Sequence, residues 1–130
     1  MIKRVLGLVV ICGAFLTAGM AQAHHSLSGV YDIKTEGEVT GVLTKVSFTN
    51  PHGAMHLDVK NADGTTTEWV LTTASLQVLT RQGLNNSSIK PGESLKVTVL
   101  PARNGNPAGF IRTLELGEQK FKLFNDNGDN

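Results

Sequence analysis

The chain has 130 residues, with twelve basic and eleven acidic side chains, four histidines and one cysteine. Once any leader is set aside, that length holds one small domain, and the near balance of charge leaves no electrostatic footprint for nucleic acid. A single thiol excludes an internal disulfide and a multi-thiolate zinc site.

Lys3 and Arg4 precede the apolar run Val5-Leu6-Gly7-Leu8-Val9-Val10-Ile11-Cys12-Gly13-Ala14-Phe15-Leu16, and Ala21-Gln22-Ala23 follows it. This order of charge, apolar core and small residues predicts a cleavable signal peptide over 1–23. The run falls short of the roughly 20 apolar residues that span a bilayer, so no membrane association is expected after cleavage. Cys12 sits inside the run behind bulky Val10 and Ile11, which does not match a lipidation site. Cleavage after Ala23 leaves 107 residues that begin at His24-His25, with ten basic residues against eleven acidic ones and no cysteine. The expected location is periplasmic or secreted. The expected organisation is a signal peptide at 1–23, an N-terminal arm at 24–35, one β domain at 36–124 and a frayed, apolar-free tail at 125–130.

Residues 36–48 alternate and are rich in β-branched side chains, the period-two pattern of a strand, with Gly41 marking a bulge or bend. Asn50-Pro51-His52-Gly53 then forms a turn. A second strand over 55–60 places Met55, Leu57 and Val59 on one face and His56, Asp58 and Lys60 on the other. Asp63-Gly64 is a hairpin signal leading into a third strand at 65–73, with Trp69 and Leu71 as core anchors. The period then changes: Leu76, Val78 and Leu79 fit a short helix capped by Thr73 or Ser75 and stopped by Gly83, with Leu84 packing behind the stop. Two more strands are expected, at 93–100 with Leu95, Val97 and Val99 inward, and at 110–116. Three strands, a helix and two strands predict an all-β domain with one short helix. Its architecture is a small five-stranded OB-like Greek-key barrel, and the alternative is an open five-stranded sheet or small sandwich.

Several stretches resemble an exported bacterial family, domain of unknown function 6152. They are His24-His25-Ser26, Thr49-Asn50-Pro51-His52, His56-Leu57-Asp58-Val59, Glu68-Trp69, Leu79-Thr80-Arg81-Gln82-Gly83, Lys90-Pro91-Gly92-Glu93 and Pro101-Ala102-Arg103-Asn104-Gly105. The resemblance runs from Ser26 to about Phe121 and implies export and a single β domain, with no activity attached. The chain departs from the family pattern at Gly53-Ala54-Met55, where an aromatic is usual, and at Thr72-Thr73-Ala74-Ser75, where a glycine-rich Ser-Pro segment is usual.

All four histidines, His24, His25, His52 and His56, lie at the expected new N-terminus or in the first strand-turn-strand unit. An N-terminal His24 offers an α-amino group and an imidazole as a chelate suited to Cu(II); zinc and nickel also accept imidazole. On a regular strand His52 and His56 would stand about 13 Å apart, so one ion takes one of them, with His52 preferred. The arm at 26–35 reaches up to about 33 Å when extended, which permits such a site. Asp58 beside His56 is the expected second-sphere carboxylate. The plain alternative is a polar start, an exposed His56 and a His52 bonded to backbone.

No Gly-x-Ser-x-Gly elbow and no phosphate-cradling loop occurs, so an enzyme is not expected, apart from oxidative chemistry at an N-terminal-histidine copper site. The leading expectation is a periplasmic binding protein for an unidentified ligand or protein partner, with a divalent metal such as copper as candidate. The competing one is a metal-independent, OB-like module recognising a protein or saccharide.

Overall fold

A computed structural model describes residues 27–124; residues 1–26, which include the expected signal segment, His24 and His25, and residues 125–130 lie outside the described residues. Contacts divide the chain into Met1–Val30 and Tyr31–Asn130, and the second unit carries the sheet. The β domain therefore starts before residue 36: Tyr31 bridges to Ala102, and the Asp32 N–H donates to the Pro101 carbonyl at 2.9 Å.

The elements are β1 (Gly37–Ser47), β2 (Ala54–Lys60), β3 (Thr66–Thr72), α1 (Leu76–Arg81), β4 (Ser94–Pro101), β5 (Ala108–Leu116) and β6 (Gln119–Lys122). The strands hydrogen-bond in the order β3-β2-β1-β4-β5-β6, and a parallel pairing of residues 70–72 with 108–110 joins β3 to β5. The first five strands thus close into a barrel with α1 between β3 and β4, the expected OB-like order, and β6 is an additional strand on β5. Closure leaves few unpaired edges, the recurrent hazard of small sheets.

Strand β1 serves both sides of the barrel: its residues 37–42 pair with β4 and its residues 42–47 with β2. Gly41 sits where the ladder changes partner, and a Cβ there would stand 2.7 Å from the Asp58 carbonyl oxygen. The bulge itself falls later than the sequence suggested, between Leu43 and Lys45. The extra residue changes which face points inward, so Val39 and Leu43 are buried before it and Phe48 after it, with Val46 packed against the core.

Met55, Leu57, Leu71, Leu79, Leu95, Val97, Val99, Ile111 and Leu114 make up most of the core. Trp69 is only partly buried, contrary to its expected anchoring role, because β5 flanks β3 no further than residues 70–72. Ser75, not Thr73, caps α1, its hydroxyl accepting the Val78 N–H, and Leu84 is buried behind the helix end with its N–H on the Leu79 carbonyl. The unanticipated β6 arises from a two-residue Gly117-Glu118 hairpin; Gly117, at φ 59°, supplies the positive first position of a type II′ turn. Among the described residues no helix is long and apolar enough to cross a membrane.

Candidate functional site

The turn that carries His52 is built from contacts distant in sequence. Its Asn50–Pro51 peptide bond is cis. Asn86 holds its entry, accepting the Phe48 N–H at 2.9 Å and donating to the Phe48 carbonyl at 3.4 Å. Asn50 accepts the Leu76 N–H at 2.9 Å, and the Thr49 hydroxyl donates to the His52 carbonyl at 3.0 Å.

Thr73 is the hub. It is completely buried, and its hydroxyl accepts the Gly53 N–H at 3.1 Å while donating to the Ala74 carbonyl at 3.1 Å. Its own N–H donates to the Gly53 carbonyl at 3.0 Å. The two segments that depart from the family pattern, 53–55 and 72–75, therefore meet each other.

The Thr73 carbonyl takes one further bond, from His52 Nδ1 at 3.2 Å. A carbonyl oxygen only accepts, so Nδ1 must carry the proton and the neutral ring presents its lone pair at Nε2. The His52 ring also meets the face or edge of Phe110, with centroids 5.7 Å apart and planes at 84°. Phe110 is 1 % exposed yet stands outside the main core cluster, covered instead by Tyr31 at 5.8 Å, Phe124 at 5.5 Å and His52. The Tyr31 hydroxyl is 2.7 Å from the Thr72 hydroxyl. Strand β5, the turn and the segment at Tyr31 thus converge on one ring and leave His52 exposed above it.

His56 has a different setting. It faces outward on β2 as expected, with Nδ1 3.4 Å from Glu68 Oε1. That nitrogen is covered and makes no hydrogen bond, so the pair is an electrostatic contact only. The carboxylate at the ring is Glu68 and not Asp58. Asp58 is exposed and lies opposite Glu68 in the β2–β3 ladder, and its carboxylate makes no hydrogen bond or ion pair among the described residues. Among the described residues no group of three or more His, Cys, Asp or Glu could hold a metal ion, so neither His52 nor His56 belongs to such a group there.

The sequence reading missed Thr73, Glu68 and the Tyr31–Phe110 contact. Glu68 was within reach of inference, because the Asp-Gly hairpin fixes the register that sets residue 68 diagonally across from residue 56.

The family resemblance has a direct counterpart. No curated protein matches the chain. A family model described as "Family of unknown function (DUF6152)" matches residues 12–112, which include all four histidines, and the chain belongs to that family.

Proposed function

We propose that this small β-barrel is an exported periplasmic binding protein that takes a divalent metal, Cu(II) by preference, between its cleaved amino terminus at His24-His25 and the His52 imidazole. The observation that carries the reading is the bond from His52 Nδ1 to the Thr73 carbonyl. Metal-binding histidines are commonly oriented in this way, with the second ring nitrogen donating to a backbone carbonyl and the first left basic and aimed outward.

One imidazole is not a metal site, and the described residues supply no further ligands beside it. The N-terminal histidines supply the remaining nitrogens: an α-amino group, the His24 ring and, in a second arrangement, the amide and ring of His25. Together with His52 Nε2 they form the all-nitrogen set that Cu(II) favours. Reach supports the pairing. Tyr31 and His52 both contact Phe110, and the seven Cα-to-Cα steps from His24 to Tyr31 extend to at most about 23 Å. His56, with its Nδ1 covered beside Glu68, stays outside this ligand set.

The test is Cu(II) titration of protein purified after export from its expression host, with its amino terminus fixed by intact mass. The expected mass corresponds to cleavage after Ala23. Sub-micromolar binding is expected, weakened about tenfold or more in both His24→Ala and His52→Ala. Micromolar or weaker affinity indifferent to both substitutions overturns the proposal.

A further inference from the structure

Strand β3 has an edge that closure of the barrel does not cover. Its ladder with β2 runs from the Ala54–Thr72 pair to the Lys60–Thr66 pair without a register shift. At the two ends of this ladder the Thr73 N–H donates to the Gly53 carbonyl and the Asn61 N–H to the Thr65 carbonyl. Bonded and non-bonded pairs alternate in an antiparallel ladder, so the N–H and C=O groups of Thr66, Glu68 and Val70 point away from β2. Val70 finds β5, donating to the Pro107 carbonyl at 3.0 Å. The next acceptor down this parallel ladder is the Glu68 carbonyl, and its donor would be the N–H of residue 107, which proline lacks. Pairing with β5 is confined to residues 70–72, and the outward groups of Thr66 and Glu68 have no hydrogen-bond partner among the described residues.

Two side chains flank this open edge. On the inner face Trp69 packs against the core yet is only partly buried, because β5 leaves that stretch of β3 unflanked. On the outer face Glu68 stands directly opposite Asp58, a like-charge pair that weakens a ladder. Lys60, opposite Thr66, makes no ion pair with either carboxylate among the described residues. An incoming strand therefore meets free backbone groups in the middle, an apolar surface on one face and negative charge on the other. The same edge of a second copy is a poor match. An antiparallel pair about Thr67 sets Glu68 diagonally against the partner's Glu68, and the like charges repel.

We infer that the β3 edge takes up an extended segment of a partner protein in which basic and apolar residues alternate. The segment adds as a strand. Its backbone bonds the N–H and C=O groups of Thr66 and Glu68, a lysine or arginine lies on the outer face beside Glu68 and Asp58, and the apolar residue next to it covers Trp69 on the inner face. Main-chain bonds supply the affinity and the alternating side chains supply the choice of partner. The surface shares no residue with the proposed metal ligands, and His52 lies beyond the other end of β2, so either reading can fail without the other.

The probe is the acetylated, amidated peptide Thr-Lys-Val-Lys-Val-Lys-Thr, titrated into protein purified after export, with EDTA present, and followed by NMR and fluorescence. Saturable binding with a Kd of about 100 μM or tighter is expected. The Thr66 and Glu68 amide protons gain about tenfold or more protection from exchange, while those of Thr67 and Trp69, already turned to β2, do not. Emission of Trp69, the only tryptophan, shifts to the blue. Glutamate in place of the peptide lysines, or N-methylation of the peptide backbone, weakens binding about tenfold or more, and Glu68→Lys reverses the choice so that the glutamate peptide binds better. No saturation by about 1 mM peptide, equal binding of the glutamate peptide to the parent, or unchanged protection at Thr66 and Glu68 overturns the inference. Self-association of the chain alone that protects the same two amides also overturns it, assigning the edge to a second copy.

Discussion

Strand β2 is entered and left by turns of opposite construction. The entry, residues 48–53, is fixed by partners far along the chain: Asn86 on Phe48, Leu76 on Asn50, Thr73 on Gly53 and His52. The exit, residues 61–65, is fixed by itself. Asn61 donates to the Thr65 and Thr67 hydroxyls at 2.9 and 2.8 Å, Asp63 accepts the Thr65 N–H and hydroxyl at 2.9 and 2.6 Å, and Gly64 takes φ 86°. A turn made of local polar bonds is a hinge between strands and little more. One locked by packing can hold a side chain at a set angle, and that is the turn bearing the exposed imidazole.

The contrast predicts unequal sensitivity. Gly53→Ala is expected to be the most damaging change, since its Cβ would stand 2.5 Å from the Ser47 carbonyl oxygen and 2.7 Å from the Thr73 hydroxyl. Backbone has to move to admit it, at a cost of about 3 kcal/mol in urea denaturation. A loss below about 1 kcal/mol would show that the entry turn is not packed as described. Thr73→Val comes next. It keeps the shape but strands the buried Gly53 N–H, for about 2 kcal/mol. The same variant is expected to loosen His52, whose Nδ1 partner is the carbonyl of this residue. Slowed exchange of the His52 ring proton in the parent and faster exchange in the variant, seen by NMR, is the check.

The same division explains what the sequence discloses. The barrel order is legible because each element carries its own signal: alternation in β1 to β5, Asp63-Gly64 for the hairpin, Ser75 ahead of α1. Strand β6 escapes notice because it has four residues and a single apolar one, Phe121, behind a Gly-Glu turn less conspicuous than Asp-Gly. The bulge at Thr44 escapes because it is a property of a pair of strands, and Gly41 draws attention instead. Within the site, His52 is legible as a turn residue. Its geometry is not, since Thr73 lies twenty or more residues downstream and reads locally as a helix cap. Phe110 reads as one more core residue of β5, and only the bulge at Arg112 shows that it faces away from the core cluster.

The exit turn should tolerate more. Gly64→Ala meets no neighbour, so only its left-handed backbone resists, for about 1 kcal/mol. The smallest effect, and the sharpest test of locality, belongs to Asp63. Its carboxyl is held below the usual carboxylate range, first by the Thr65 hydroxyl and then by the Thr65 N–H. A carboxyl more acidic in the folded state than in the unfolded one stabilises the fold at neutral pH, above its unfolded value, and that contribution fades as pH falls through the depressed value. Asp63→Asn is therefore expected to lower Tm slightly at pH 7, with the two melting curves drawing together as the buffer is acidified. Because the group is fully exposed the difference is small, and it should leave the chemical shifts of Gly53, Thr73 and His52 untouched. A Tm difference that stays constant with pH, or shifts that move at the entry turn, would mean that the two ends of β2 are coupled and that the exit is not the self-contained structure its hydrogen bonds describe.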